Sequence, residues 1–346
     1  MTTAVAILDL DDAAACRAWD AFVAGHSEGT VFHGTAWARS IVDAMGHAAY
    51  LFFIERGGAI VAALPIIHVK SRLFGNRLVS NAFAVYGGPL ADRLDDHAAL
   101  DEAAWALARK LGATSLEYRG KTCQRPEWPL DDQTYATFER AIDPDPEVNM
   151  KAIPRKQRAM VRKAMGFGLE TVVDRDADRH FAVYAESVRN LGTPVFTKKL
   201  FHALLRHFGD DADVLTVTKD GVPVASVLSL YWRGAVLPYY GGGGANARAL
   251  AGNDYMYWAL MDHARARGCD RFDFGRSKVG TGAFHFKKNW GFAPQPLYYC
   301  YRLAPDQAMP NLNPTSGKYA RAVALWQKLP LPVANVLGPL LSRGLG

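Results

Sequence analysis

The sequence contains no Cys-x-x-Cys pair. Its four cysteines, Cys16, Cys123, Cys269 and Cys300, are scattered over 346 residues. That spacing indicates neither a metal site nor a redox motif, and four free thiols suit a reducing cytoplasm. No basic segment opens the chain, since Met1-Thr2-Thr3-Ala4 leads into Asp9, Asp11 and Asp12. This is unlike a secretory signal. No uncharged apolar run reaches the roughly 18 residues of a membrane span. A cytoplasmic protein is therefore expected. Acidic residues are absent from two stretches, between Glu147 and Glu170 and from Gln307 to Gly346.

A chain this long exceeds a single core, and two domains of roughly 150 residues are expected. Hydrophobic residues make up 49% and charged residues 21%, an ordinary globular balance. The net charge of +6 favours acidic partners such as phosphates, nucleic acid or an anionic membrane, or serves solubility alone.

Hydrophobic periodicity predicts the same element order twice. In the first half, helices at 12–24 and near Trp37, Ile41 and Met45 precede a hairpin, Tyr50 to Ile54 and Ile60 to Val69. A strand from Leu78 to Tyr86, a helix at 96–111 and a strand at Ser115–Tyr118 follow. In the second half, helices at 177–190 and around Leu200, Leu204 and Phe208 precede a hairpin, Val214 to Thr218 and Val224 to Tyr231. A strand from Val236 to Tyr240, a helix from Asn253 to Arg267 and a strand from Arg271 to Phe274 complete it. At an offset of 163, Gly29-Thr30 falls on Gly192-Thr193, Gly46 on Gly209 and Gly58 on Gly221. After a gap, Tyr86-Gly87-Gly88 matches Tyr240-Gly241-Gly242, and Trp105-Ala106-Leu107 matches Trp258-Ala259-Leu260. Duplication predicts two related α/β domains with a ligand cleft between them.

Between the halves lies a basic helix at 151–166, with Arg155, Arg158 and Arg162 on one face. It is a candidate phosphate- or RNA-binding element, or a solvated interdomain helix. The stretch 306–346 joins Lys318, Arg321, Lys328 and Arg343 to Trp326 and many Leu and Val residues. Its prolines exclude one continuous helix. It either lies in a membrane interface or packs back on the second domain.

The stretch from Phe272 to Phe292 concentrates the chemistry. It reads as a buried strand, a loop with Gly280 and Gly282, and then Phe284-His285-Phe286-Lys287. Alternation in that last run puts Phe284 and Phe286 on one face and Lys287 on the other. Lys287 can place a cation beside a developing oxyanion. Arg276 can hold a phosphate or carboxylate, or pair with Asp273. Gly241 and Gly242 can let the backbone approach a donor, or form a turn. Asn253 and Asp254 suit a helix cap. Substrate contacts are assigned to Tyr86, Tyr240, Gly241, Gly242, Ser277, Lys278 and Trp290.

The chain resembles the FemAB-like proteins associated with the exosortase (PEP-CTERM) system, GNAT-related aminoacyl- and acyltransferases. The resemblance rests on Phe32-His33 before Trp37, Tyr86-Gly87-Gly88-Pro89 and Pro154-Arg155-Lys156. It continues in Gly192-Thr193-Pro194, Phe274-Gly275-Arg276-Ser277-Lys278, Phe286-Lys287 and Trp290-Gly291-Phe292. It implies an α/β (α+β) fold of tandem GNAT-like domains, at 1–148 and 149–305, followed by a tail at 306–346. It implies amide formation on an amine of a cell-envelope precursor, either a peptidoglycan-type peptide or an exopolysaccharide. The donor would be aminoacyl-tRNA or acyl-CoA, with no tightly bound cofactor. In the family a Phe-Lys pair sits at the reaction centre, and the match falls on Phe286-Lys287. Two family features are missing: the Arg/Gln-x-x-Gly-x-Gly/Ala loop of acetyl-CoA binders and the helical hairpin of tRNA users. The alternative is a non-catalytic module docking an exopolysaccharide or exosortase-linked assembly, held to the inner membrane through residues 318–346.

Overall fold

The computed structural model describes residues 4–123, 125–310 and 317–346, the side chains of 317–320 excepted. Two compact units emerge. The first comprises Met1–Asp132, Leu297–Leu312 and Leu341–Gly346; the second comprises Gln133–Pro296 and Asn313–Leu340. The sequence-expected spans placed 133–148 in the first domain and 297–305 in the second.

The sheet of the first unit runs Ala6–Ile7, Ala48–Arg56, Ala59–Ser71, Gly75–Ser80, Ser115–Gly120, Tyr298–Leu303, Leu130–Asp131, with Leu90–Ala91 beside Ala59–Ser71. The second sheet runs Ser277–Lys278, Tyr135–Ala141, Arg271–Asp273, Ala235–Gly243, Val222–Trp232, Ala212–Lys219, Glu170–Asp174, with Pro294–Pro296 beside Tyr135–Ala141. Each contains a long antiparallel hairpin, a third antiparallel strand and then a parallel neighbour. Parallel pairing needs a crossover, which Leu94–Leu111 and Gly252–Ala266 supply. The predicted duplication is thus present as repeated topology.

In each sheet the strand beyond that parallel neighbour comes from the other half of the sequence. Tyr298–Leu303 pairs antiparallel with Ser115–Gly120, and Tyr135–Ala141 pairs antiparallel with Arg271–Asp273. An antiparallel partner needs no local crossover, so either segment can supply it.

Other boundaries differ from expectation. The strand predicted from Leu78 to Tyr86 ends at Ser80, and residues 81–89 form a buried loop. Gly87 is required there, because a Cβ would lie 2.2 Å from the Asn81 nitrogen. The basic segment is two helices, Pro146–Ala152 and Arg155–Met165, broken at Ile153-Pro154, because a residue before proline avoids helical angles. The tail forms Gly317–Trp326 and Leu331–Ser342. Among the described residues no helix is long and apolar enough to cross a membrane.

The cores follow from these layers. In the first unit Trp19 and Trp37 are fully buried, and their indole N–H groups donate to His33 O at 2.8 Å and Ala82 O at 3.2 Å. A buried indole needs such a partner. In the second unit Phe138, Phe272, Phe274, Trp290 and Phe292 share one buried cluster.

Candidate active site in the second unit

The strand Arg271–Asp273 delivers the chain to the site. Asp273 is buried, and its Oδ1 accepts from Gly275 N at 2.9 Å, turning the chain at Gly275, which has φ +65°. Ser277–Lys278 then pairs with Tyr135 and Ala136 of the exchanged strand. Thr281 caps the next helix, its Oγ1 accepting from Phe284 N at 3.4 Å and donating to Lys278 O at 2.7 Å. That helix is Gly282–Asn289, so the alternation expected for 284–287 does not hold. Residues three apart share a helix face. Phe284 and Lys287 are accordingly the buried pair, Phe286 is half-buried, and His285 and Lys288 are exposed.

Lys287 points inward. Its Nζ donates to the carbonyl oxygens of Phe274, Gly275 and Arg276 at 2.6, 3.0 and 3.0 Å. An ammonium has three N–H groups, so all three are committed to the 274–276 turn. The same atom lies 5.4 Å from the Phe138 ring centre and 5.3 Å from that of Phe274. Burial lowers its pKa to about 7; nearby Asp273 opposes that fall and Arg276 adds to it. Lys287 is therefore a clamp on the turn that carries Arg276, and a buried amine that titrates near neutrality.

Arg276 is half-buried and stacks over Tyr135, 4.8 Å from its ring centre. Ser277 is buried, with Oγ lacking a hydrogen-bond partner. Lys278 is half-buried. Trp290 is fully buried and donates from Nε1 to Asp254 Oδ1 at 3.1 Å; Gln157 donates to the same oxygen. Asp254 is thus no helix cap. The helix opens after Ala251, in left-handed backbone with φ 48°, and has no side-chain cap. Burial raises the Asp254 carboxyl pKa, and the two donors oppose that rise. Gln157 ties the Arg155–Met165 helix to this core, leaving Arg155 and Arg162 exposed and Arg158 half-buried.

Tyr240 and its glycines sit differently from a turn. The strand continues through Gly243, with Gly241 opposite Val227 and Gly242 opposite Ser226. A Cβ on Gly242 would lie 2.6 Å from Ser187 Cβ, and one on Gly241 would lie 2.9 Å from Tyr257 Oη. Neighbouring side chains of the protein fill that space. Tyr240 is buried among Tyr184, Phe196, Phe201 and Tyr239, with ring centres 4.8 to 5.8 Å away. His180, fully buried beside Tyr184, has its pKa lowered to about 3 and is neutral.

The second unit therefore gathers Arg276, Ser277, Phe286 and Lys287 around one turn, with Trp290 packed against Phe286 and Tyr257. Tyr86 belongs to the first unit, where it is buried beneath the Lys121 ammonium, 5.0 Å from its ring centre. Sequence reasoning missed Tyr257, whose ring meets Phe274 at 4.6 Å, Phe286 at 5.6 Å and Trp290 at 6.3 Å. It also missed Tyr135 and Phe138. Tyr257 carried a signal, since it lies one turn after Asn253 on an amphipathic helix; the exchanged strand carried none.

Residues 149–288 match the family model for the acetyltransferase (GNAT) domain. No curated protein matches the chain in sequence. The fold aligns with the crystal structure of FemX at TM-score 0.66 and 14% identity, covering 86% of this chain and 96% of that one. A tandem GNAT protein from the clavulanic acid biosynthesis pathway aligns at TM-score 0.57 and 14% identity, covering 88% and 99%. L-PGS from Bacillus licheniformis aligns at TM-score 0.53 and 14% identity, covering 85% and 93%. The fold is a tandem GNAT fold. Its matched domain ends at Lys288 and so includes the Lys287 clamp.

Proposed function

We propose that this protein is an N-acyltransferase that forms an amide on an amine of a cell-envelope precursor, with its chemistry at the Arg276–Lys287 turn. The observation carrying this reading is that the GNAT domain match ends on the helix bearing Lys287, within a fold shared with FemX. In the reaction, the amine nitrogen attacks the carbonyl carbon of an acyl thioester. The C–N bond forms, the C–S bond breaks, and the amine proton leaves with the thiolate or to water. Lys287 holds the turn and places its charge beside the oxyanion. Arg276, fixed on Tyr135, takes an anionic group of the donor. Acyl-CoA is the first donor to test and aminoacyl-tRNA the second, the latter supported by the basic Arg155, Arg158 and Arg162 helix.

The helix Leu331–Ser342 supports peripheral membrane contact. Val333, Val336, Leu337 and Leu340 are exposed on it, by 42, 69, 41 and 74%. That spacing makes one apolar stripe, with basic Lys328 and Arg343 at its ends.

The test is incubation of the full chain with acyl-CoAs and charged tRNAs, with amine-bearing precursor peptides as acceptors and mass detection of the amide. Transfer by wild type that falls at least about a hundredfold in Lys287→Met is expected. Unchanged transfer by a folded Lys287→Met protein removes this site from the reaction.

A further inference from the structure

The first unit holds a second group of buried charges, which the transfer reading does not use. Arg77, Glu117 and Arg119 are 2, 2 and 5% exposed. Both guanidiniums share one carboxylate: Arg119 Nε lies 2.6 Å from Glu117 Oε1, and Arg77 Nη1 lies 3.7 Å from Oε2. Buried cations require close charge or hydrogen-bond compensation.

Part of that compensation comes from residues 343–346. Arg77 Nη2 donates to Gly344 O at 3.3 Å and Gly346 O at 3.4 Å, and Arg119 Nη2 donates to Gly346 O at 3.1 Å. Arg77 Nε is buried with no hydrogen-bond partner. The segment fits because glycine stands at 344 and 346, on either side of half-buried Leu345. A Cβ on Gly344 would lie 2.7 Å from Phe74 Cδ2, and one on Gly346 would lie 2.9 Å from Val69 Cγ2. His47 Nε2 meets Arg343 O at 2.8 Å, and exposed Arg343 donates to Gly46 O at 3.1 Å.

We propose that Arg77 and Arg119 form a binding site for a carboxylate or phosphate group, and that residues 344–346 are an exchangeable strap across it. The contacts from Arg77 to the strap are long, and the one to Gly344 ends on a neutral carbonyl. An anion offers shorter, charge-assisted bonds to the same guanidiniums. Releasing the strap uncovers half-buried Leu345 and the Val69, Phe74 and Phe83 side chains that Gly344 and Gly346 abut, and the charge-assisted bonds to the anion must outweigh that burial. The site also communicates with a loop. Arg119 Nη1 donates to Asn81 O at 3.3 Å and Ala84 O at 3.0 Å, and Gly87 N donates to Arg119 O at 2.7 Å. An anion on Arg119 therefore acts on the loop that carries Tyr86.

The inference rests on the first unit alone and does not need the transfer reaction. Its test titrates inorganic phosphate and, separately, acetate into the full chain by calorimetry. Wild type, Gly344→Leu and the gentler Arg343→Ala are compared. A closed strap lowers apparent affinity by the fraction of time it is shut. Gly344→Leu is expected to bind one of the two anions about tenfold more tightly than wild type, with Arg343→Ala intermediate. Which anion gains distinguishes a carboxylate ligand from a phosphate ligand. In wild type, saturating anion is expected to accelerate amide hydrogen exchange at 343–346, a readout that requires no variant. Failure of both anions to bind either variant overturns the proposal, as does equal tightening in Gly344→Leu carrying Arg77→Gln. Binding that leaves exchange at 343–346 unchanged in wild type overturns the strap.

Discussion

Lys287→Met tests the clamp most directly. Methionine keeps the length of the side chain but removes the charge and three N–H groups. The loss has two parts. One is independent of pH: the carbonyls of Phe274, Gly275 and Arg276 lose their shared donor, at about 1–3 kcal/mol for each left unsatisfied. The other depends on pH. Lys287 titrates at about 7 in the folded chain, against 10.5 for the unperturbed group. Between those values the unfolded chain holds a proton that the folded chain has released. Raising pH through the window therefore stabilises the folded wild type, and the Lys287→Met variant lacks that dependence. At pH 7 the burial of this amine costs wild type about 4 kcal/mol relative to a neutral group, and at pH 9 about 2 kcal/mol. The advantage of wild type over the variant should thus grow by about 2 kcal/mol from pH 7 to pH 9. Groups such as Cys269 that titrate in both proteins cancel in the difference. Urea unfolding of the pair at pH 7, 8 and 9, followed by tryptophan fluorescence, measures it. A difference that stays flat or shrinks refutes the reasoning, since the ammonium would then remain charged throughout, held by its three carbonyls.

Other perturbations follow from the same contacts. Asp254→Ala strands the buried Trp290 N–H and frees Gln157, so the chain should lose about 1–3 kcal/mol in urea unfolding; Asp254→Asn, which keeps an acceptor, should lose less. Gly242→Val drives a side chain into Ser187 and should destabilise by about 1–3 kcal/mol, read as a fall in Tm. Replacing Arg155, Arg158 and Arg162 together by Ala should flatten the salt dependence of tRNA or heparin binding by about one phosphate contact per residue, with little change in Tm, since none is buried. Val336→Asp with Leu340→Asp should abolish flotation with anionic liposomes while leaving the fold intact; equal flotation removes the 331–342 helix as a membrane contact.

Much of the fold was legible because its signals are local. The helix from Thr35 to Met45 ends at Gly46, which has the left-handed φ of 63° that a helix stop demands. The hairpins turn at Gly57-Gly58 and at Asp220-Gly221, each with positive φ at the turn. These residues announce their geometry through backbone sterics alone. Helix Gly282–Asn289 announced itself less clearly. In eight residues Phe284, Phe286 and Lys287 satisfy either a strand or a helix pattern, and the threonine cap decides between them. The prediction that Asp254 caps its helix failed for a related reason: its buried partners, Trp290 and Gln157, lie far off in sequence.

The exchanged strands mark where sequence reasoning ends and packing begins. Tyr135–Ala141 buries Ala136 and Phe138 against the second core, and Tyr298–Leu303 buries Tyr299, Cys300 and Tyr301 against the first. Each buries three consecutive residues, 136–138 and 299–301, and nothing local states which sheet it completes. A repeat count naturally gives each to its own half. The consequence reaches the site, because Tyr135 lies under Arg276 and Phe138 under Lys287. The ring that positions the candidate donor-binding arginine is thus encoded about 140 residues before it. The duplication accounts for two sheets of the same order, but the proposed site is built partly on the strand that breaks the symmetry between sequence halves and folded units. In the proposed site Tyr135 and Phe138 therefore belong beside the Phe286-Lys287 pair.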